Sequence, residues 1–69
     1  MNIQRLVRMA NDIGNFFKSE PDHAVAVDSV ALHLTRFWDP RMRREIKAYA
    51  DAGGSELTDL VREAVLRLR

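Results

Sequence analysis

The hydrophobic positions fall into four runs with the three-and-four spacing of amphipathic helices, and none shows the strict alternation of a strand. The first run predicts a helix over residues 2–19. Ile3, Leu6, Ala10, Ile13 and Phe17 form its stripe, with Val7 and Gly14 on one flank and Met9 and Phe16 on the other. That arc spans about half the helix, wider than the ~100° a single buried face requires. Arg5, Arg8, Asn11, Asn15 and Lys18 take the wet side. Ser19, Glu20, Pro21 and Asp22 form a turn, in which Pro21 restricts Glu20 to extended backbone and ends the helix. The second run continues to Trp38. Val27, Val30, Ala31, Leu34, Phe37 and Trp38 share one face, and Phe37 reads as core. Val25 and Leu32 fall on the opposite face beside Asp28, Ser29 and Arg36, an apolar pair with no evident use in a monomer.

Asp39-Pro40 is a strong helix start. The Asp39 carboxylate can accept from free backbone N–H groups, and Pro40 at the first helical position has no N–H to leave unpaired. Met42, Ile46, Tyr49 and Ala50 give the third stripe, and Gly53 suits the left-handed position that ends a helix. Thr58, with Ser55 as the alternative, caps a fourth helix whose stripe is Leu60, Val61, Ala64, Val65 and Leu68. Leu66 points away from it. Glu63–Arg67 and Arg41–Glu45 are spaced as i, i+4 ion pairs. The expected architecture is all-α, a small compact bundle of about four short helices in a single domain over residues 1–69. Short connections favour packing between sequence neighbours. The shared core is expected to include Leu6, Ile13, Phe17, Val30, Leu34, Ile46, Tyr49 and Leu60.

Composition narrows the possible functions. The chain has 69 residues, 46% hydrophobic and 30% charged, which suits a folded domain rather than a disordered tail. A chain of this size is expected to be stable by roughly 3–10 kcal/mol and to offer little room for an enzyme cleft. It contains no cysteine, which excludes a disulfide framework, thiolate zinc and cysteine-ligated iron–sulfur clusters. Such a small, unstapled domain often leans on a partner. The net charge of +1 is lower than a dedicated nucleic-acid binder usually carries. No apolar run approaches the ~20 residues of a membrane helix. The opening MNIQRLVRMAND reads as no secretory signal, so a soluble, cytoplasmic location is expected.

Chemistry-bearing constellations are sparse. His23 and His33 are not at metal-ligand spacing and read as surface or boundary residues. The serines and threonines have no adjacent base, and no phosphate-loop lysine follows Gly53-Gly54. No catalytic, cofactor-binding or metal-binding residue is assigned. One segment stands out. Between Arg36 and Lys47 five basic residues face two acidic ones, and Arg41, Arg43 and Arg44 crowd a helix start whose dipole disfavours positive charge. Such a conflict can mark a functional site. One reading makes these arginines, with Trp38 at their edge, a docking patch for an acidic partner surface, with Arg43 and Arg44 the better-placed pair. The other makes them ordinary solvating charge. Val25 and Leu32, and the flank of Met9 and Phe16, are further candidate partner-binding residues.

The segment FWDPRMR, residues 37–43, resembles the delta subunit of NAD-dependent formate dehydrogenases. The likeness extends to Leu6-Val7-Arg8-Met9-Ala10-Asn11-Asp12-Ile13 with Phe16-Phe17, to Ala31-Leu32-His33-Leu34, and to Gly53-Gly54 followed by residues 57–65, so it covers nearly the whole chain. The resemblance implies a non-catalytic accessory subunit of a soluble complex that oxidises formate and reduces NAD. In that complex the alpha subunit carries bis-molybdopterin guanine dinucleotide with molybdenum or tungsten. Alpha, beta and gamma carry iron–sulfur clusters, and beta also carries FMN. The implied partners are the alpha subunit and also beta or gamma, with neither nucleic acid nor membrane. Three alternatives stand beside this reading: a small helical nucleic-acid-binding domain using residues 41–44, a transient cofactor-insertion or assembly chaperone, and a homodimer when isolated.

Overall fold

Each helix begins where a side chain can meet its free N–H groups. The computed structural model describes residues 2–69, so Met1 of the expected domain lies outside the described residues. Helix α1 spans Ile3–Phe17, α2 His23–Phe37, α3 Pro40–Asp51 and α4 Asp59–Leu66. The all-α expectation holds: among the described residues there are four α-helices and no strand. Asp39 and Thr58 are the predicted caps. The Asp39 carboxylate accepts from Met42 N–H at 2.9 Å with Pro40 in the first turn, and the Thr58 hydroxyl accepts from Val61 N–H at 3.3 Å. Asn2 and Asp22, read from the pattern as helix and turn residues, are the other two caps. Helix α1 stops at Phe17, before the stretch that Pro21 restricts, because the chain turns back there and Glu20 N–H donates to the Phe17 carbonyl at 3.1 Å.

Helix α3 ends as the glycine pair implies. Gly54 N–H donates to the Tyr49 carbonyl and Gly53 N–H to the Ala50 carbonyl, each at 3.0 Å. This is the paired 6→1 and 5→2 bonding of a Schellman motif, and Gly53 takes the φ of +124° that a side chain would resist.

The helices do not simply pack in chain order. The largest interface joins α2 to α4, and α1 packs on α2, α3 and α4, while α2 and α3 barely touch although they are consecutive. Neighbour packing therefore holds for α1 with α2 and for α3 with α4, and fails at the middle connection. Its cause is local. Trp38 (ψ 140°) and Asp39 (ψ 165°) are both extended, Asp39 as a residue preceding proline, so α3 departs from α2 and α4 packs against both.

Leu6, Val30, Leu34 and Ile46 are fully buried, as expected. Ile13, Phe17, Tyr49 and Leu60 are only half-buried, packing against the edge of that cluster. Two residues depart from their expected places at the end of α2. Phe37 is 71% exposed, whereas Trp38 is 5% exposed and part of the core. Trp38 lies four residues after Leu34 and continues its line, while Phe37, three residues after Leu34, falls at the stripe's margin. Leu57, on the loop before α4, is buried although it belongs to no helical stripe. Met9 packs against the core rather than standing free.

The predicted Glu63–Arg67 pair is replaced by partners on α2. Glu63 meets His23 at 2.9 Å and Arg67 meets Asp28 at 2.5 Å. All four groups are substantially exposed, so these contacts orient α4 on α2 more than they stabilise it. Removing the α3 cap with Asp39→Ala is expected to cost about 0.5–2 kcal/mol. The check is thermal melting of the isolated chain, where an unchanged midpoint would show that the Asp39–Met42 bond contributes nothing.

Candidate partner-binding surface

Among the described residues no group of three or more His, Cys, Asp or Glu side chains could hold a metal ion, and no helix is long and apolar enough to cross a membrane. Both histidines have other engagements. His23 pairs with Glu63, and the His33 ring lies 6.4 Å from that of Phe17 and 4.7 Å from that of Phe37.

The arginines at the start of α3 are placed differently from one another. Arg41 pairs with Glu45 at 3.8 Å, the predicted i, i+4 contact. Arg43 folds back, and its guanidinium donates to the Thr35 carbonyl at 3.2 Å and to the Trp38 carbonyl. Those carbonyls belong to the C-terminal end of α2, where a cation complements the helix dipole. The unfavourable charge at one helix start thus answers an unfavourable charge at another helix end, and this part of the electrostatic conflict is resolved within the chain. Arg44 is exposed and has no ion pair or side-chain hydrogen bond among the described residues. Trp38 presents its carbonyl to Arg43 and buries its ring, so it does not form an exposed edge to the patch. Because Arg43 ties α3 to α2, charge reversal there is not a clean surface test; Arg44 is the position where it is.

The remaining candidates divide. Val25 and Leu32 are exposed on one side of α2, as predicted, and Phe16 is 78% exposed. The structure adds two residues that the pattern did not mark. Phe37 and His33 join Phe16 and Phe17 in an aromatic chain, with Phe16 set edge-on to Phe17 at 5.0 Å. Leu32 lines a hollow with Phe17, His33, Arg36 and Phe37, and a second hollow shares Phe17 and His33 with Phe16, Ile13 and Asp12. At about 230 and 300 Å³ these hollows lie at or below the lower end of small-molecule sites, and their scale suits side chains of a macromolecular partner. The signal for Phe16 was available on the helical wheel, since it lies on a flank of the α1 stripe; Phe37 lies on the face of α2 that the wheel read as core. Their adjacency was not available there, because it depends on how α1 lies on α2.

Asn11 was also misplaced by pattern alone. Instead of facing water it is half-buried and clamps the loop before α4: its Nδ2 donates to the Glu56 carbonyl at 2.9 Å and its Oδ1 accepts from Thr58 N–H at 3.1 Å. Glu56 holds a φ of +72° between these two bonds.

No curated protein and no solved structure matches the chain. A family model does: the NADH-dependent formate dehydrogenase delta subunit FdsD, over residues 5–65. The match takes in nearly all of α1, the whole of α2 and α3, and α4 to its penultimate residue. The chain therefore belongs to the family of formate dehydrogenase delta subunits.

Proposed function

We propose that this chain is a non-catalytic accessory subunit of a soluble, cytoplasmic NAD-dependent formate dehydrogenase, supporting the assembly or stability of the cofactor-bearing alpha, beta and gamma subunits. The observation that carries this reading is the family match over residues 5–65. The chemistry of the chain supports it. In the complexes that the family reading implies, formate oxidation and NAD reduction run on a metal cofactor, flavin and clusters. A chain without cysteine has no thiolate for an iron–sulfur cluster, so its residues do not fit that group. The clusters then belong to the other subunits, and the family reading assigns the molybdenum or tungsten pterin and the FMN to them as well. What this chain supplies is a folded surface with exposed aromatic residues.

Two measurements test the proposal. Purified alone, the chain is expected to show no formate-dependent NAD reduction, and activity in the isolated protein would refute the reading. Purified with its complex, it is expected at fixed stoichiometry. A transient chaperone would be missing from the finished enzyme, so subunit counting on the mature complex separates the two roles.

A further inference from the structure

Single exposed apolar residues are ordinary on a protein surface; a contiguous group of them is informative. Phe16 and Phe37 are the two most exposed large hydrophobics among the described residues, and Phe17 and His33 join them into one face. The face has two hollows. Phe17 and His33 line both, while Phe16 borders one and Phe37 the other, so each hollow sits beside a protruding ring. The charges divide in the same way. Asp12 lines the hollow beside Phe16, and Arg36 lines the hollow beside Phe37. One carboxylate thus stands on one side of the Phe17–His33 midline and one guanidinium on the other. Both are exposed, and neither belongs to an ion pair among the described residues. Lys18 and Glu20, in the turn that follows α1, again bring one charge of each sign.

We infer that this face of α1 and α2 pairs with a second copy of the same chain, about a two-fold axis near Phe17 and His33. The inference stands apart from the accessory-subunit reading, since it concerns only how two copies of this chain meet. In a two-fold contact a patch meets its own equivalent, and every contact across the axis occurs twice. The Phe16 ring of one copy seats in the hollow beside Phe37 of the other, and the reverse contact repeats it. At about 230 and 300 Å³ the hollows have room for an aromatic side chain. Asp12 lies one helical turn before Phe16, and Arg36 directly precedes Phe37. The same arrangement therefore brings Asp12 of each copy to Arg36 of the other, as two charge-assisted bonds around an aromatic centre. A partner surface of a single sign would meet one end of this face unfavourably, whereas the face is its own electrostatic complement. A contact made by a few side chains of two helices is smaller than a standard stable interface, so the association is expected to be weak and concentration-dependent.

The test follows the mass of the isolated full chain by sedimentation equilibrium over a range of concentrations. It compares the wild type, Asp12→Arg, Arg36→Glu and an equimolar mixture of these two variants, with a melting curve to control for folding. The wild type is expected to rise from one to two chain masses with concentration. Each variant alone sets like charges against each other and is expected to dimerise at least about tenfold more weakly. Mixed, the two variants bring opposite charges together at both ends, so the dimer is expected to return as a heterodimer that concentrated salt loosens. A wild type that stays monomeric at every concentration overturns the inference. So does a dimer that both variants leave unchanged, or whose loss the mixture does not reverse. Should a charge variant fail to fold, Phe16→Ser with Phe37→Ser decides the matter: a monomer supports the pairing, and an intact dimer places the contact elsewhere. A monomeric wild type that the large formate dehydrogenase subunits retain, and that the two serine substitutions release, makes a different subunit the occupant and overturns the second copy.

Discussion

Leu34→Ala is expected to cost about 2–5 kcal/mol, the range for truncating a buried leucine and leaving a cavity. Leu34 is fully buried on α2, the helix that makes the largest interface in the fold, and its carbonyl also accepts the Trp38 N–H at 3.0 Å. The total stability expected for a chain of this length is only roughly 3–10 kcal/mol, so this one substitution removes a large share of it. At about 4–8 °C per kcal/mol for a domain this small, the melting midpoint should fall by about 8 °C or more. Circular dichroism during thermal or urea denaturation of the isolated chain reads the effect. A midpoint within a degree or two of wild type would mean that the α2–α4 interface is not where the stability resides.

Gly14→Ala tests the tertiary structure against helix propensity, because the two predict opposite signs. Propensity alone makes alanine better than glycine by about 1 kcal/mol inside a helix. In the structure Gly14 is buried in α1, and a Cβ there would lie 2.3 Å from Val61 Cγ2. Val61 is fully buried on α4 and is stiff at its branched Cβ, so it has little freedom to yield. The expected result is a net loss of about 1–3 kcal/mol from overpacking. Val61→Ala removes the opposing methyl, so adding Gly14→Ala to that variant should be neutral or stabilising. Stabilisation by Gly14→Ala in the wild-type background would place α1 farther from α4 than the structure has it.

The pattern of apolar positions located the four helices well because it reports a local geometry. The caps at Asp39 and Thr58 and the stop at Gly53 were legible for the same reason: the groups involved lie within a few residues of one another. The candidate surface was legible only in part. Phe16, Val25 and Leu32 stand exposed as the helical wheel suggests, but the wheel placed Phe37 in the core, and His33, read as a surface or boundary residue, was not linked to it. Trp38, offered to a partner, is buried in the core, and Met9, offered likewise, is partly buried against it. The arginine crowding at the start of α3 was a true local signal with an internal answer, since Arg43 reaches back to carbonyls of α2 rather than outward.

By itself, then, the sequence determined the helical class, the starts of α3 and α4 and the stop of α3, the absence of thiolate chemistry and, through FWDPRMR and its flanks, the family. All of these are properties of residue identity or of groups closely spaced along the chain. Only the tertiary structure decided that α4 packs against both α2 and α3, that Asn11 clamps the loop around Glu56, that Gly14 makes room for Val61, and that four rings from two helices form one face. The physical reason is separation along the chain. Asn11 and Thr58 are 47 residues apart, and His23 and Glu63 are 40 apart. Helical periodicity states which side of a helix is apolar; which helix meets that side, and which marginal residues are left in water, follows from how all four fill one core.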